Sequence, residues 1–111
     1  MSMNKLIMST LKPLNHPVYP LHYPGESDTY ITFFQYNESA SLNADDEEKI
    51  TGFYYQVDVW TKNPSIYESL SKQVKDSLES NGFVRRSAND LYEKETQVYH
   101  KAMRFYYAKN K

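Results

Sequence analysis

Residues 50–61 alternate without interruption, with Phe53, Tyr55, Val57 and Val59 on one side of an extended chain and Tyr54, Gln56, Asp58 and Trp60 on the other. A period of two marks a strand, because successive side chains leave opposite faces of a sheet. Both sides carry large rings, so covering one face leaves a second aromatic face still to be accommodated. The following segment limits the cover available. Asn63 is a good N-cap, Pro64 suits the first helical position, and Ile66, Leu70, Val74 and Leu78 recur every four residues. Glu68 precedes Lys72 in the favourable i,i+4 order, and Gly82 ends the pattern. This predicts a helix over about 64–80 with one apolar stripe. Such a helix covers one side of a sheet only.

The remaining elements fall around this pair. Thr29-Tyr30-Ile31-Thr32-Phe33-Phe34-Gln35-Tyr36 is β-branched or aromatic at all but one position and reads as a strand. A long closing strand spans 96–108, with Tyr99, Met103, Phe105 and Tyr107 on one face and Val98, His100, Ala102, Arg104 and Tyr106 on the other. Phe83–Ser87 reads as a short strand and Ala88-Asn89-Asp90 as a turn. Met3, Leu6, Ile7, Met8 and Leu11 have roughly helical spacing, which predicts a short N-terminal helix ending before Pro13. Four of the five prolines lie in 13–25, an extended or turn-like stretch with room for a brief edge strand at Val18 and Tyr19. Residues 38–49 hold five acids and one lysine, net −4, with little apolar content; they read as a long mobile loop between two strands. The predicted class is α+β: a mostly antiparallel sheet of four to five strands, the 64–80 helix on one face, and a short N-terminal helix.

Size sets the scale of the core. The chain has 111 residues and 13.1 kDa, one domain's worth, spanning 1–111. Mass scaling gives roughly 6,400 Å² of folded surface against about 19,000 Å² unfolded, enough burial for one modest core. With no cysteine, a disulfide framework, a thiolate metal site and a cysteine nucleophile are excluded, and a reducing cytosol is suited. No apolar run approaches the ~20 residues of a membrane span. Met1–Met8 lacks the apolar core and small-residue cleavage site of a signal peptide.

Eleven tyrosines, five phenylalanines and one tryptophan sit beside only three glycines. Tyrosine suits a surface that is apolar in body and wet at the tip. Two readings stand: a tyrosine-rich sheet with one solvated face, or an interface. So many rings favour a neighbour over water, since large apolar patches on monomers are uncommon.

No constellation for chemistry emerges. His16, His22 and His100 have no zinc-like spacing. Asp45-Asp46-Glu47-Glu48 lacks the alternate spacing and the glycine of a calcium loop, and reads as a solvated acidic segment. Phosphate-cradling glycine loops, G-x-S-x-G and H-E-x-x-H are absent. Asp58 and His100 could form an acid/base pair, but no nucleophile is placed beside them; the reading is non-enzymatic, with no metal or cofactor. Nucleic acid is the stronger rival. Residues 50–111 carry ten basic and seven acidic residues, and Arg85, Arg86, Lys101 and Arg104 fall on the last two strands beside tyrosines able to stack bases. Against it stand the net charge of −1 and the absence of RRM-type motifs.

The strand Phe53-Tyr54-Tyr55-Gln56-Val57-Asp58-Val59-Trp60-Thr61, followed by Asn63-Pro64 and a helix, resembles the V-D-V-W-(S/T) pattern of phage and prophage tail-completion proteins, also called tail terminator or head–tail joining proteins. The resemblance continues through Asn81-Gly82-Phe83, Tyr92-Glu93, Glu95-Thr96, Tyr99-His100-Lys101 and Arg104-Phe105. Upstream it takes in Pro17-Val18-Tyr19 and Asp28-Thr29-Tyr30-Ile31-Thr32-Phe33, so it spans roughly 15–108. It implies a non-enzymatic subunit that assembles as a ring, commonly a hexamer, at the head-proximal end of a siphophage tail. Its partners would be other copies of itself, the tail tube protein and the head connector. A loop matching 37–50 would order on assembly. A closed ring needs two different complementary patches on each subunit. The candidates are acidic Glu38, Asp45, Asp46, Glu47 and Glu48 against basic Arg85, Arg86 and Arg104, with Tyr54, Trp60 and Tyr106 as ring contacts. The alternative is a small nucleic-acid- or partner-binding domain using the same tyrosine and arginine face.

Overall fold

The computed structural model describes residues 2–44 and 47–110; the segments 40–44 and 47–49 are described as backbone. In chain order the elements are α1 (Met3–Leu11), a 3-10 turn at Lys12–Leu14, β1 (Val18–Pro20), β2 (Tyr30–Ala44), β3 (Glu47–Thr61), α2 (Pro64–Ser80), β4 (Val84–Glu93) and β5 (Val98–Asn110). The strands form one sheet in the order β1-β2-β3-β5-β4. Only β1 and β2 run parallel; the other three pairings are antiparallel. The class is α+β, as the sequence predicts.

The alternation of β3 decides where the core lies. Tyr55, Val57 and Val59 are buried, together with Ile31 and Phe33 of β2 and Met103 and Phe105 of β5. Against them pack Leu70, Val74 and Leu78 of α2 and Ile7 and Leu11 of α1. Both helices therefore cover the same face of the sheet. α2 starts as its sequence dictates: Asn63 Oδ1 accepts from the Ser65 and Ile66 amides at 2.8 and 3.1 Å, which satisfies donors that the first turn leaves free. After Asn81, Gly82 takes φ +96°, a conformation that favours glycine. α1 is tied to the sheet where the Tyr55 hydroxyl donates to Asn4 Oδ1 at 3.0 Å.

Two expectations are corrected. Of the expected long loop over 38–49, residues 38–44 and 47–49 lie in strands. β2 and β3 continue as a paired ladder as far as Ala44↔Glu47, with register shifts near 36 and 41–43; Asp45 and Asp46 lie outside the described residues. Inter-strand hydrogen bonds hold this segment extended despite its polar composition. Ala88-Asn89-Asp90 is likewise no turn. These residues pair with Met103, Ala102 and Lys101 of β5, and the reversal comes at 94–97, where Gln97 has φ 58°. β4 is an edge strand, so its polar residues are tolerated on the exposed side.

The hairpin shapes the molecule. β5 pairs with β3 as far as Ile50↔Asn110, and among the described residues β2 and β3 run on beyond it as a two-stranded ladder. The principal extents are 53 × 24 × 24 Å and the radius of gyration is 15.1 Å, against about 13 Å for a typical domain of this length. The accessible surface is 6936 Å², above the roughly 6,400 Å² that mass scaling gives.

Candidate assembly interface

The face of the sheet away from the helices carries the even-numbered residues of β3 and their cross-strand partners. Trp60 stands between Tyr30 of β2 and His100 of β5, and Tyr54 stands opposite Tyr106. Aromatic side chains form two groups here. At one end, Tyr19, Tyr23, Tyr30, Trp60 and His100 make a continuous ladder, with successive ring centroids 5.3, 4.5, 5.8 and 3.6 Å apart. Burial raises the Tyr30 hydroxyl above its ordinary pKa, with Glu93 adding to the effect. At the other end Tyr54 lies 5.9 Å from Tyr36 and 5.0 Å from Tyr106. Tyr19 and Tyr36 are exposed and the other rings are partly buried, while the described helices pack on the opposite face.

Two guanidinium groups lie over this second group. Arg104 sits 4.5 Å from the Tyr36 ring and donates from Nε to Gln56 Oε1 at 3.3 Å; Arg86 sits 5.7 Å from the Tyr54 ring. Stacking of this kind is worth about 0.5–1 kcal/mol at exposed sites. Among the described residues, neither arginine has a carboxylate within ion-pair distance. Arg85 is elsewhere. The pairing Arg85↔Phe105 puts it on the helix side, where it lines a cleft of about 300 Å³ with Tyr67, Ser71, Lys75, Asp90 and Lys101. A register shift between Arg85 and Ser87 separates these neighbouring arginines.

Between the two ring groups lies a polar connection. Asp58, only 3 % exposed, accepts from Gln56 Nε2 at 3.0 Å and lies 2.8 Å from His100 Nε2. Trp60 Nε1 donates to Thr32 Oγ1 at 2.9 Å. The sequence placed Asp58 and His100 on different strands; the structure brings them together. Their arrangement cross-links β3 to β5, because the imidazole is stacked on Trp60 and the carboxylate is shared with an amide. Of the other sequence candidates, Glu38 is exposed and accepts from Gln35 Nε2 at 3.1 Å, Glu47 and Glu48 lie in β3, and Asp45 and Asp46 fall outside the described residues. Sequence reasoning missed Tyr36 and Tyr23. Tyr36 continues the alternation of Tyr30, Thr32 and Phe34, a signal that was available. Tyr23 reaches the ladder through a turn at Leu21 with φ 66°.

The family model for the tail completion protein gp17 matches residues 11–107. The chain belongs to this family. The tail-completion chain is therefore a structural component of a phage-type tail, in keeping with the resemblance carried by the V-D-V-W strand. Its fold is shared with a chain of a solved structure titled "Virion of native gene transfer agent (GTA) particle", at TM-score 0.63 and 15% identity, covering 92% of this chain and 84% of that one. No curated protein matches it. No helix among the described residues of this tail-completion chain is long and apolar enough to cross a membrane.

Proposed function

We propose that this tail-completion chain works as one subunit of a homo-oligomeric ring at the head-proximal end of a phage tail. There it caps the tail tube and joins it to the head connector without catalysing a reaction. The observation that carries this reading is the second sheet face. Five aromatic side chains (Tyr30, Tyr36, Tyr54, Trp60 and Tyr106) lie on it with Arg86 and Arg104, opposite the face that the helices cover. Tyrosine, tryptophan and arginine are the residues that carry protein–protein contacts. Assembly would remove this surface from water and supply partners for both guanidinium groups. The acidic hairpin, net −4 over 38–49, supplies a charge opposite to Arg86 and Arg104, as a head-to-tail ring requires.

A second reading rests on the same arginine–tyrosine pairs. Tyr36 with Arg104 and Tyr54 with Arg86 could stack bases and hold phosphates. One experiment separates the two. Purified chain is added to uncapped tail tubes and viewed by electron microscopy, while the free chain is titrated with single-stranded DNA at several salt concentrations. Capped tube ends support the ring subunit. Bare tubes together with salt-sensitive DNA binding by a monomer would overturn it in favour of the second reading.

A further inference from the structure

Exposed large apolar side chains gather on two opposite flanks of the sheet. Tyr19 and Leu21 lie in and just after β1, and Met8 lies on the neighbouring α1; Val84, Leu91 and Tyr92 lie on β4. Beside β1 a groove of about 470 Å³ is lined by Met8 and Val18 together with Lys5, Ser9, Lys12 and His16. It opens on the helix side, since Val18 pairs with the core residue Ile31. Among the described residues, neither Lys5 nor Lys12 has a carboxylate within ion-pair distance. On the opposite flank Tyr92 pairs with Tyr99, whose ring lies 5.5 Å from that of Tyr67 in α2. Tyr92 therefore also stands on the helix side, and it is 52 % exposed. Exposed Glu93, Lys94 and Glu95 follow it, two acids against one base.

We infer that copies of this chain join head to tail through these flanks. Tyr92 of one subunit enters the Met8–Val18 groove of the next, and Glu93 and Glu95 face its Lys5 and Lys12. This rests on the ring reading above and specifies its contact. Height follows from the register. Val18 stands level with Ile31, Val59, Lys101 and Asp90 across the sheet. Two residues further toward the same end, Tyr92 comes level with Tyr99, Thr61 and the His16 end of the groove. A ring whose axis runs along the strands keeps these heights and sets helix side beside helix side. Side chains make the contact, because the outer edge of β1 resists an added strand. The Ile31 amide donates to Pro17 O and the Leu21 amide to Phe33 O, which leaves Val18 and Pro20 turned outward, and Pro20 has no N–H to offer. A tyrosine suits such a groove, with an apolar body to bury and a hydroxyl that stays wet. Because the two surfaces differ, the contact repeats around a closed ring.

The absence of cysteine allows a direct test. Ser9→Cys in the groove and, separately, Lys94→Cys beside Tyr92 are introduced into the full chain at exposed positions that keep both acids and both groove lysines. The variants are treated with a short bismaleimide singly, mixed, and as the double variant. The contact predicts cross-linked dimers from the mixture, none from either single variant, and a ladder of higher species from the double variant. Tyr92→Ala, without any cysteine, should weaken self-association by roughly tenfold or more in sedimentation velocity. Single variants that cross-link to themselves would overturn the contact in favour of a two-fold one. Oligomers seen by light scattering without cross-linking of the mixture, or with association unchanged in Tyr92→Ala, would overturn the groove contact while leaving the ring reading intact. A chain that stays monomeric at all concentrations would remove both. Thermal melts of each variant show that the fold is retained.

Discussion

His100 Nε2 lies 2.8 Å from a nearly buried Asp58 carboxylate oxygen, and its imidazole is stacked on Trp60 with ring centroids 3.6 Å apart. The pair joins β3 to β5 on the face that no described helix covers, so it braces the aromatic ladder from beneath. Asp58→Ala would leave the donors of Gln56 and His100 without their shared acceptor. The expected loss is about 1–3 kcal/mol of folding stability, read as a lower urea midpoint at unchanged slope. A shift under about 0.5 kcal/mol, the size of an ordinary surface substitution, would show that the pair does not brace the sheet.

The ends of α2 give separable effects. Asn63→Ala removes the acceptor of two first-turn amides and should cost about 1 kcal/mol. Gly82→Ala puts a Cβ 3.2 Å from the Tyr107 ring at φ +96°, so strain and crowding add. This variant should lose more than the roughly 1 kcal/mol typical of a cap. Denaturation of the two variants side by side checks the order.

Tyr67 and Asp90 link α2 to β4 and make the stability depend on pH at both ends of the scale. The Tyr67 hydroxyl is raised above its ordinary value of 10.0, by burial first and then by its hydrogen bond to Asp90. Asp90 is held below 3.8 by that bond and by Lys101. Because the folded state favours neutral Tyr67, its contribution is complete below about pH 10 and is lost as pH rises through the folded value. Asp90 behaves in the opposite sense: its contribution is present above about pH 4 and lost as pH falls through its lowered value. Asp90→Asn should bring the Tyr67 titration down toward that of the other tyrosines, followed by NMR of labelled tyrosine rings. Burial alone will keep it somewhat raised. An unchanged Tyr67 titration would mean that Asp90 does not hold the hydroxyl.

Charge reversal separates the two faces at β4. Arg86→Glu and Arg104→Glu place acids on the aromatic face, where the neighbouring copy's acidic hairpin is proposed to lie. Each should weaken self-association by roughly tenfold or more, a cost of about 1.4 kcal/mol. A conservative lysine at either position should retain part of it. Sedimentation velocity at matched concentrations reads the difference. Association unchanged in both variants would remove the aromatic face from the interface.

Much of this was legible in the chain. Asn63-Pro64, the fourfold spacing of Ile66 to Leu78, and Gly82 fixed α2 to within a residue. The alternation of 53–60 and of 99–107 separated the core face from the ring face correctly, since it depends only on the pleat. What escaped was set by pairing across the sheet. Glu38 to Ala44 has no apolar period and Ala88-Asn89-Asp90 has turn-like composition, yet both are extended because neighbouring strands offer hydrogen bonds. The separation of Arg85 from Arg86 comes from a register shift against β5, which no local pattern announces. Asp58 and His100 were paired from the sequence as a possible acid and base, but their role as a brace between strands shows only in the register of β3 with β5.

Light scattering of the unmodified chain over rising concentration, at neutral pH and moderate salt, addresses the central claim most directly. The account predicts a mass that climbs from that of a 13.1 kDa chain toward a closed multiple and then stops. A mass fixed at one chain at every concentration, on the bench and on tail tubes alike, would contradict it.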